Sequence, residues 1–321
     1  RNPEALTKSL PDMMSIRTLT LVATLALAYG FTPISRFHRS PATRMAGANG
    51  GAAIWREGGL DYYLLKHPSG ASSKVYPFGG DVCSYTDANG VDWIAVRPDA
   101  KLDGSKPISG GLSHCFPQFG PGEIQQHGFA RNVDWEMVES TESSVTLSLK
   151  PSEYTKAMWD KDFECVFSVS VTADSLDTKL IVRNLGSAPF DFQAALHSYF
   201  DISSVAGTSI GGSFEGATFM NKMLDPPADQ VETRAEIVID EEYDRVYMGV
   251  NDPVLKDSGK KAALKIVNGG GWKDTVLWNP FGDEGMGADN FVCVESAAFD
   301  PVPLAGGATW AATLSLVPTN I

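Results

Sequence analysis

The chain is poor in the residues from which disulfide frameworks and metal centres are usually built. Its 321 residues include four cysteines and five histidines. Cys83, Cys115, Cys165 and Cys293 stand far apart with no Cys-x-x-Cys pair. They resemble neither a disulfide framework nor a zinc site, and such a pattern favours a reducing compartment. Positive charge is also scarce. Lys and Arg number 26 against 39 Asp and Glu, a formal charge of −13. Six of the basic and two of the acidic residues fall within positions 1–50, which leaves the remainder at −17. Nucleic acid and anionic membranes require clustered cations, so neither is an expected partner. Gly-rich phosphate loops, a Ser nucleophile elbow and metal-ligating helical motifs are absent. No apolar run approaches the about 20 residues of a membrane span.

What the chain has is turns and strands. Hydrophobic residues make up 43% and charged residues 20%, with 31 Gly and 19 Pro, a globular composition with many turns. From Ile54 onward the dominant period is two, the strand signal. Val145, Leu147 and Leu149 alternate with Thr146, Ser148 and Lys150; Phe163, Cys165, Phe167, Val169 and Val171 share one face. Similar runs occur at 180–182, 236–239, 263–267, 275–278, 291–294 and 310–316, separated by turn clusters at 184–189, 268–271 and 306–307. Residues 151–159 read as a short helical loop, and no helical spacing is sustained over a dozen residues. The expected fold is all-β, a large antiparallel β-sandwich in two broad sheets, because strands recur without the helices that a parallel sheet requires. Residues 51–321 read as a single domain.

Residues 1–50 read as an address. Residues 1–13 fit neither a signal nor a core pattern. From Met14, Arg17 precedes an apolar stretch from Leu19 to Ala28 and small residues near Ala28 and Gly30, the order of a signal peptide. Arg36, Arg39 and Arg44 follow among Ser35, Ser40 and Thr43 without an acidic residue, as in a transit peptide. The junction Ala28-Tyr-Gly-Phe-Thr-Pro33 resembles the cleavage signature of bipartite plastid presequences in algae with complex plastids. The expectation is plastid import, with plain secretion as the alternative.

Candidate chemistry falls on few residues. His38 lies in the address, His67 in a Ser/Gly-rich turn, and His114 reads as a packed core histidine. His127 occupies an irregular polar segment before Gly128, which would let the backbone approach a ligand, and Arg131 follows four residues on. His197 is embedded among apolar and aromatic neighbours, either hydrogen-bonded filler or a tuned acid. Glu295 stands in the apolar run Phe291-Val-Cys-Val-Glu, where a carboxylate is costly unless paired or protonated. Phe116, Phe119, Phe129, Trp135, Tyr199, Phe200, Trp278 and Phe281 interleave these groups. Aromatic faces with a few carboxylates and imidazoles suit a sugar ring, although for most of these rings core packing is the simpler role.

The motifs Lys101-Leu-Asp-Gly-Ser-Lys-Pro-Ile-Ser-Gly-Gly-Leu112, Phe116-Pro-Gln-Phe-Gly-Pro121, His127-Gly-Phe-Ala-Arg-Asn132, Leu196-His-Ser-Tyr-Phe200, Val276-Leu-Trp-Asn-Pro280 and Val292-Cys-Val-Glu-Ser296 together resemble the hexose-6-phosphate mutarotases of the aldose 1-epimerase superfamily. The resemblance covers residues 54–318. It implies a galactose mutarotase-like sandwich that opens and recloses the sugar ring, interconverting α and β anomers without redox cofactor or metal. His197 would protonate the ring oxygen and Glu295 would remove the anomeric hydroxyl proton, while His127, Asp244, Gln126 and Arg131 would bind the sugar. Where the family carries an arginine that helps hold the phosphate, this chain has Ser109. A hydroxyl lacks the bidentate fork that arginine offers a dianion, so Lys101, Lys106 and Arg97 are the candidate replacements. Two alternatives stay open: an epimerase of unphosphorylated aldoses, and a non-catalytic carbohydrate-binding sandwich. The expected partner is a small sugar or sugar phosphate, with no stable membrane association and a monomeric chain.

Overall fold

The computed structural model describes residues 43–44 and 51–321. Apart from Thr43–Arg44, the expected presequence, with His38 and the boundary at residue 50, lies outside the described residues. The described residues all fall in one unit.

Three antiparallel sheets make up the described chain. The first has five strands and runs from Thr43–Arg44 to Asp81–Thr86 in sequence order. The sequence reading delimits no strand this early. The second has nine strands and includes Ser144–Leu149, Phe163–Val171, Leu176–Asn184 and Thr309–Asn320. The third has seven, in the order Ala228–Val231, Thr218–Asn221, Tyr243–Tyr247, Asp274–Asn279, Phe291–Leu304, Phe190–Asp201, Leu112–Cys115. The expected strand periodicity is realised in Phe163–Val171, where buried and half-buried residues alternate without exception. The run at 236–239 contracts to Glu236–Ile237. Residues 151–159 contain the six-residue helix Glu153–Met158. Its start is set by a capping box in which Ser152 and Thr155 satisfy each other's backbone N–H groups.

The core lies between the nine- and seven-stranded sheets. Val145, Leu147, Phe163, Phe167 and Leu180 come from the former, and Phe192, Leu196, Phe200, Leu277, Val292 and Val294 from the latter. Because side chains alternate across a strand, assigning Leu196, Phe200, Val292 and Val294 to this core assigns His197, Tyr199, Cys293 and Glu295 to the opposite face. The same parity puts Ser113, Asp244, Val276 and Trp278 on that face. His114 goes to the core, where it stacks on Trp135 at 4.8 Å and meets Phe167 edge-on at 4.4 Å. Phe116, Phe129, Trp135 and Phe200 are likewise buried core residues, whereas Phe281 is exposed. No described helix is long and apolar enough to cross a membrane.

Candidate active site

The outer face of the seven-stranded sheet floors a cavity of about 320 Å³, near the lower end of the about 300–1,000 Å³ typical of ligand sites. Strand register assembles the floor. Leu196 pairs with Ser296 and Tyr199 with Cys293, which sets His197 beside Glu295. His197 also pairs with Ser113, Glu295 with Val276, and Trp278 with Asp244. Thus residues from five segments of sequence meet on one surface. The walls come from two irregular segments. One supplies Arg97, Lys106 and Ser109, the other Phe119, Gln126, His127 and Arg131. Lys222 closes the rim. A separate hollow of 390 Å³ beside Val231, Arg234 and Asp240 contains no histidine; the proton-carrying groups converge on the smaller one.

His197 Nδ1 stands 3.4 Å from Glu295 Oε1, with the side chains 12% and 2% exposed. The contact lacks hydrogen-bond geometry, since His197 Nδ1 finds no hydrogen-bond partner among the described residues. Ser113 Oγ, Arg131 Nε and Glu295 Oε2 are in the same state. Buried polar atoms are ordinarily satisfied, so four unsatisfied atoms around one cavity mark a surface built for a polar ligand. Tyr199 stacks on His197 with ring centroids 4.9 Å apart, fixing the imidazole plane.

His127 is placed by the opposite wall. Its backbone adopts the left-handed conformation, φ 64°, which costs a residue with a Cβ. Gly128 follows at φ 70°, and a Cβ there would collide with the Phe116 carbonyl. The glycine therefore serves a close backbone crossing with Phe116. The Gly120 N–H donates to His127 Nδ1 at 3.2 Å, and Cys115 Sγ lies at the same distance from that nitrogen. With Nδ1 accepting, the ring proton resides on Nε2. Gln126 lies 3.4 Å from this atom, and Arg131 Nη2 donates to the Gln126 carbonyl at 3.1 Å.

Burial dominates the electrostatics. It lowers the His127 pKa to about 3, with help from Arg131 and Lys222. Burial also holds His197 well below the usual imidazole range, reinforced by His127 and Arg131. Glu295 is pushed well above the carboxylate range, first by burial and then by Asp244, against the opposing pull of Lys222 and Arg131. Burial thus disfavours the charged form of each partner, the imidazolium and the carboxylate. These are one proton donor and one proton acceptor, 3.4 Å apart.

Of the expected site residues, His197, Glu295, His127, Asp244, Gln126, Arg131, Lys106 and Arg97 all line the cavity. Lys101 does not: it is exposed and outside the lining, so its proposed phosphate role is corrected. Arg97 forks onto Asp99 at 2.9 and 2.7 Å. Sequence reasoning missed Lys222, whose Nζ donates to both oxygens of Asp244 at 2.9 Å. No local motif announces it. Only the pairing of Thr218–Asn221 with Tyr243–Tyr247 brings it alongside. His67, bonded to Ser69 Oγ at 3.0 Å, is the loop histidine expected.

Residues 61–316 match the aldose 1-epimerase family. The chain belongs to this family. An Escherichia coli protein provisionally named a glucose-6-phosphate 1-epimerase is 30% identical over 257 residues, covering 74% of this chain and 83% of the relative. One from Cenchrus ciliaris with the same provisional name is 28% identical over 288 residues, covering 82% and 86%. The fold resembles that of a Salmonella typhimurium protein provisionally described as a mutarotase, with TM-score 0.76 and 22% identity over 87% of this chain and 97% of the other. The sandwich expected from sequence is therefore the family's architecture, and this epimerase carries His197 and Glu295 on the outer face of the seven-stranded sheet.

Proposed function

We propose that this epimerase interconverts the α and β anomers of a hexose 6-phosphate. The observation that carries the phosphate reading is the gathering of four cationic side chains, Arg97, Lys106, Arg131 and Lys222, around the cavity that holds His197 and Glu295. Arg97 and Lys222 are paired with Asp99 and Asp244, so in a chain of formal charge −13 the local excess of positive charge offered to a dianion comes from Lys106 and Arg131. The provisional names of the relatives point the same way.

Mutarotation needs a proton removed from the anomeric hydroxyl while another is delivered to the ring oxygen. In the productive state His197 is the imidazolium and Glu295 the carboxylate, a pair of zero net charge 3.4 Å apart. In that form His197 protonates the ring oxygen and Glu295 accepts the anomeric proton. The ring opens to the aldehyde, rotation about C1–C2 presents the other carbonyl face, and reclosure reverses both transfers. His127 Nε2–H donates to the sugar, Asp244 accepts from its hydroxyls, and the rings of Phe119 and Trp278 face its apolar C–H surface.

Ser109 favours a second reading, catalysis on unphosphorylated aldoses, since it lines the cavity without a cation's charge. Anomerisation of glucose 6-phosphate and glucose, followed by NMR, separates the two. The phosphate reading expects the phosphorylated sugar to be favoured by more than about tenfold in kcat/KM, a difference of about 1.4 kcal/mol; a smaller preference overturns it. We further propose that the protein acts in a plastid, on the presequence-like pattern of residues 14–44, and that it is a monomer. A fluorescent fusion to residues 1–50 and light scattering of the purified chain test these points.

A further inference from the structure

Cys293 belongs to neither the lining of the cavity nor the proton-transfer steps, yet it stands two residues before Glu295 on the same sheet face. It packs with Tyr199, Phe291 and Trp278. One donor atom from each of His197, Cys293 and Glu295 falls within 4.8 Å of the other two. We propose that these three side chains form an inhibitory binding site for a thiophilic divalent cation, with zinc as the best match.

The donor set is one imidazole nitrogen, one sulfur and one carboxylate oxygen. That combination is common around Zn2+ and foreign to Mg2+ and Ca2+, which take oxygen ligands. Bond lengths of about 2.0–2.3 Å around a tetrahedral ion put neighbouring donors about 3.3–3.8 Å apart. His197 Nδ1 and Glu295 Oε1 are already 3.4 Å apart, so the closing movement needed is small and falls on the sulfur. A second observation points to a ligand here: His197 Nδ1 and Glu295 Oε2 are buried and lack hydrogen-bond partners among the described residues. On binding, the cysteine thiol and, where protonated, the carboxyl release their protons to solvent. The thiolate and carboxylate then cancel the charge of the ion, and the buried site stays neutral overall. Three protein ligands leave the fourth position to water. Because the ion occupies both proton carriers, it stops anomerisation.

The test uses the full chain, stripped with EDTA and titrated with Co2+ and separately with Zn2+. The expected result is saturable Co2+ binding with a thiolate-to-cobalt charge-transfer band that Zn2+ displaces. Zn2+ inhibition should be reversed by EDTA, and Mg2+ at equal concentration should have no effect. Cys293→Ala should abolish the band and weaken Zn2+ binding by more than the about 10–100-fold that lost outer-shell partners cost. It should leave the metal-free anomerisation rate near that of the parent. Glu295→Gln, which preserves shape and keeps the thiol, should also weaken Zn2+ binding and serves if the alanine variant fails to fold. Absence of the band in the parent chain, its persistence in Cys293→Ala, or unchanged Zn2+ affinity in the variants would overturn the site.

Discussion

Leu196 pairs with His114 across the sheet, and His197, the next residue, belongs to the other face. That single step separates two fates for the same side chain. His114 is sealed among aromatic rings with its pKa lowered to about 3 by burial, while His197 meets Glu295 over a cavity. Replacing either proton carrier should therefore cost rate more than fold. His197→Asn and Glu295→Gln are each expected to slow anomerisation by about 10²–10⁴-fold, the usual weight of a general acid or base. Sugar binding, read from the fluorescence of Trp278 at the cavity, should survive; rates near the parent's in both variants would remove them from the mechanism. Ser109 permits the converse experiment. Ser109→Arg supplies a bidentate donor to a phosphate and should raise the glucose 6-phosphate to glucose ratio of kcat/KM by about tenfold, equal to about 1.4 kcal/mol. An unchanged ratio would mean that residue 109 lies out of reach of the phosphate.

At the scale of elements, two irregular segments carry half of the site, and their shape depends on particular backbone positions. Gly128→Ala would add both a positive-φ penalty and a collision with Phe116. The expected cost is at least about 2 kcal/mol of unfolding free energy, since strained backbone positions alone cost about 1–3 kcal/mol. Activity should fall too, because His127 is the adjacent residue. Urea denaturation compared with kinetics at a permissive temperature checks both. The periodic strands behave differently. Phe167 sits fully buried between the sheets, so Phe167→Ala should cost about 3–5 kcal/mol through lost burial and a cavity. Its anomerisation rate per folded molecule should change little.

For the whole molecule, Glu232 contributes to acid stability away from the site. Glu232 is buried against solvent, and its pKa is lowered to about 2 by hydrogen bonds from Arg234 and Tyr247, which outweigh its desolvation. A carboxylate depressed in the folded state adds stability above its unfolded pKa of about 4.5 and loses it as pH falls. The loss should run from about pH 5 down to about pH 2. Because the Arg234 partner is partly exposed, a contribution of about 2 kcal/mol is appropriate after allowance for solvent screening. Glu232→Gln should flatten this part of the stability curve in urea titrations across that range; an unaltered slope would assign the acid sensitivity elsewhere.

Local chemistry determined the strands, the short helix and the candidate status of His127, His197 and Glu295. Alternation writes burial directly into sequence at positions such as 163–171, and an acid inside an apolar run is costly wherever the run goes. The resemblance added Asp244, which looks like a surface charge when read alone. Register and loop packing decided the rest. Lys222 reaches Asp244 only because two strands pair, Lys101 misses the cavity by the course of its loop, and Cys293 joins His197 and Glu295 although spacing alone suggested no metal set. Contacts between residues far apart in the chain depend on which strands become neighbours and in what register. That choice is made by burying the whole core, so no local window of sequence contains it.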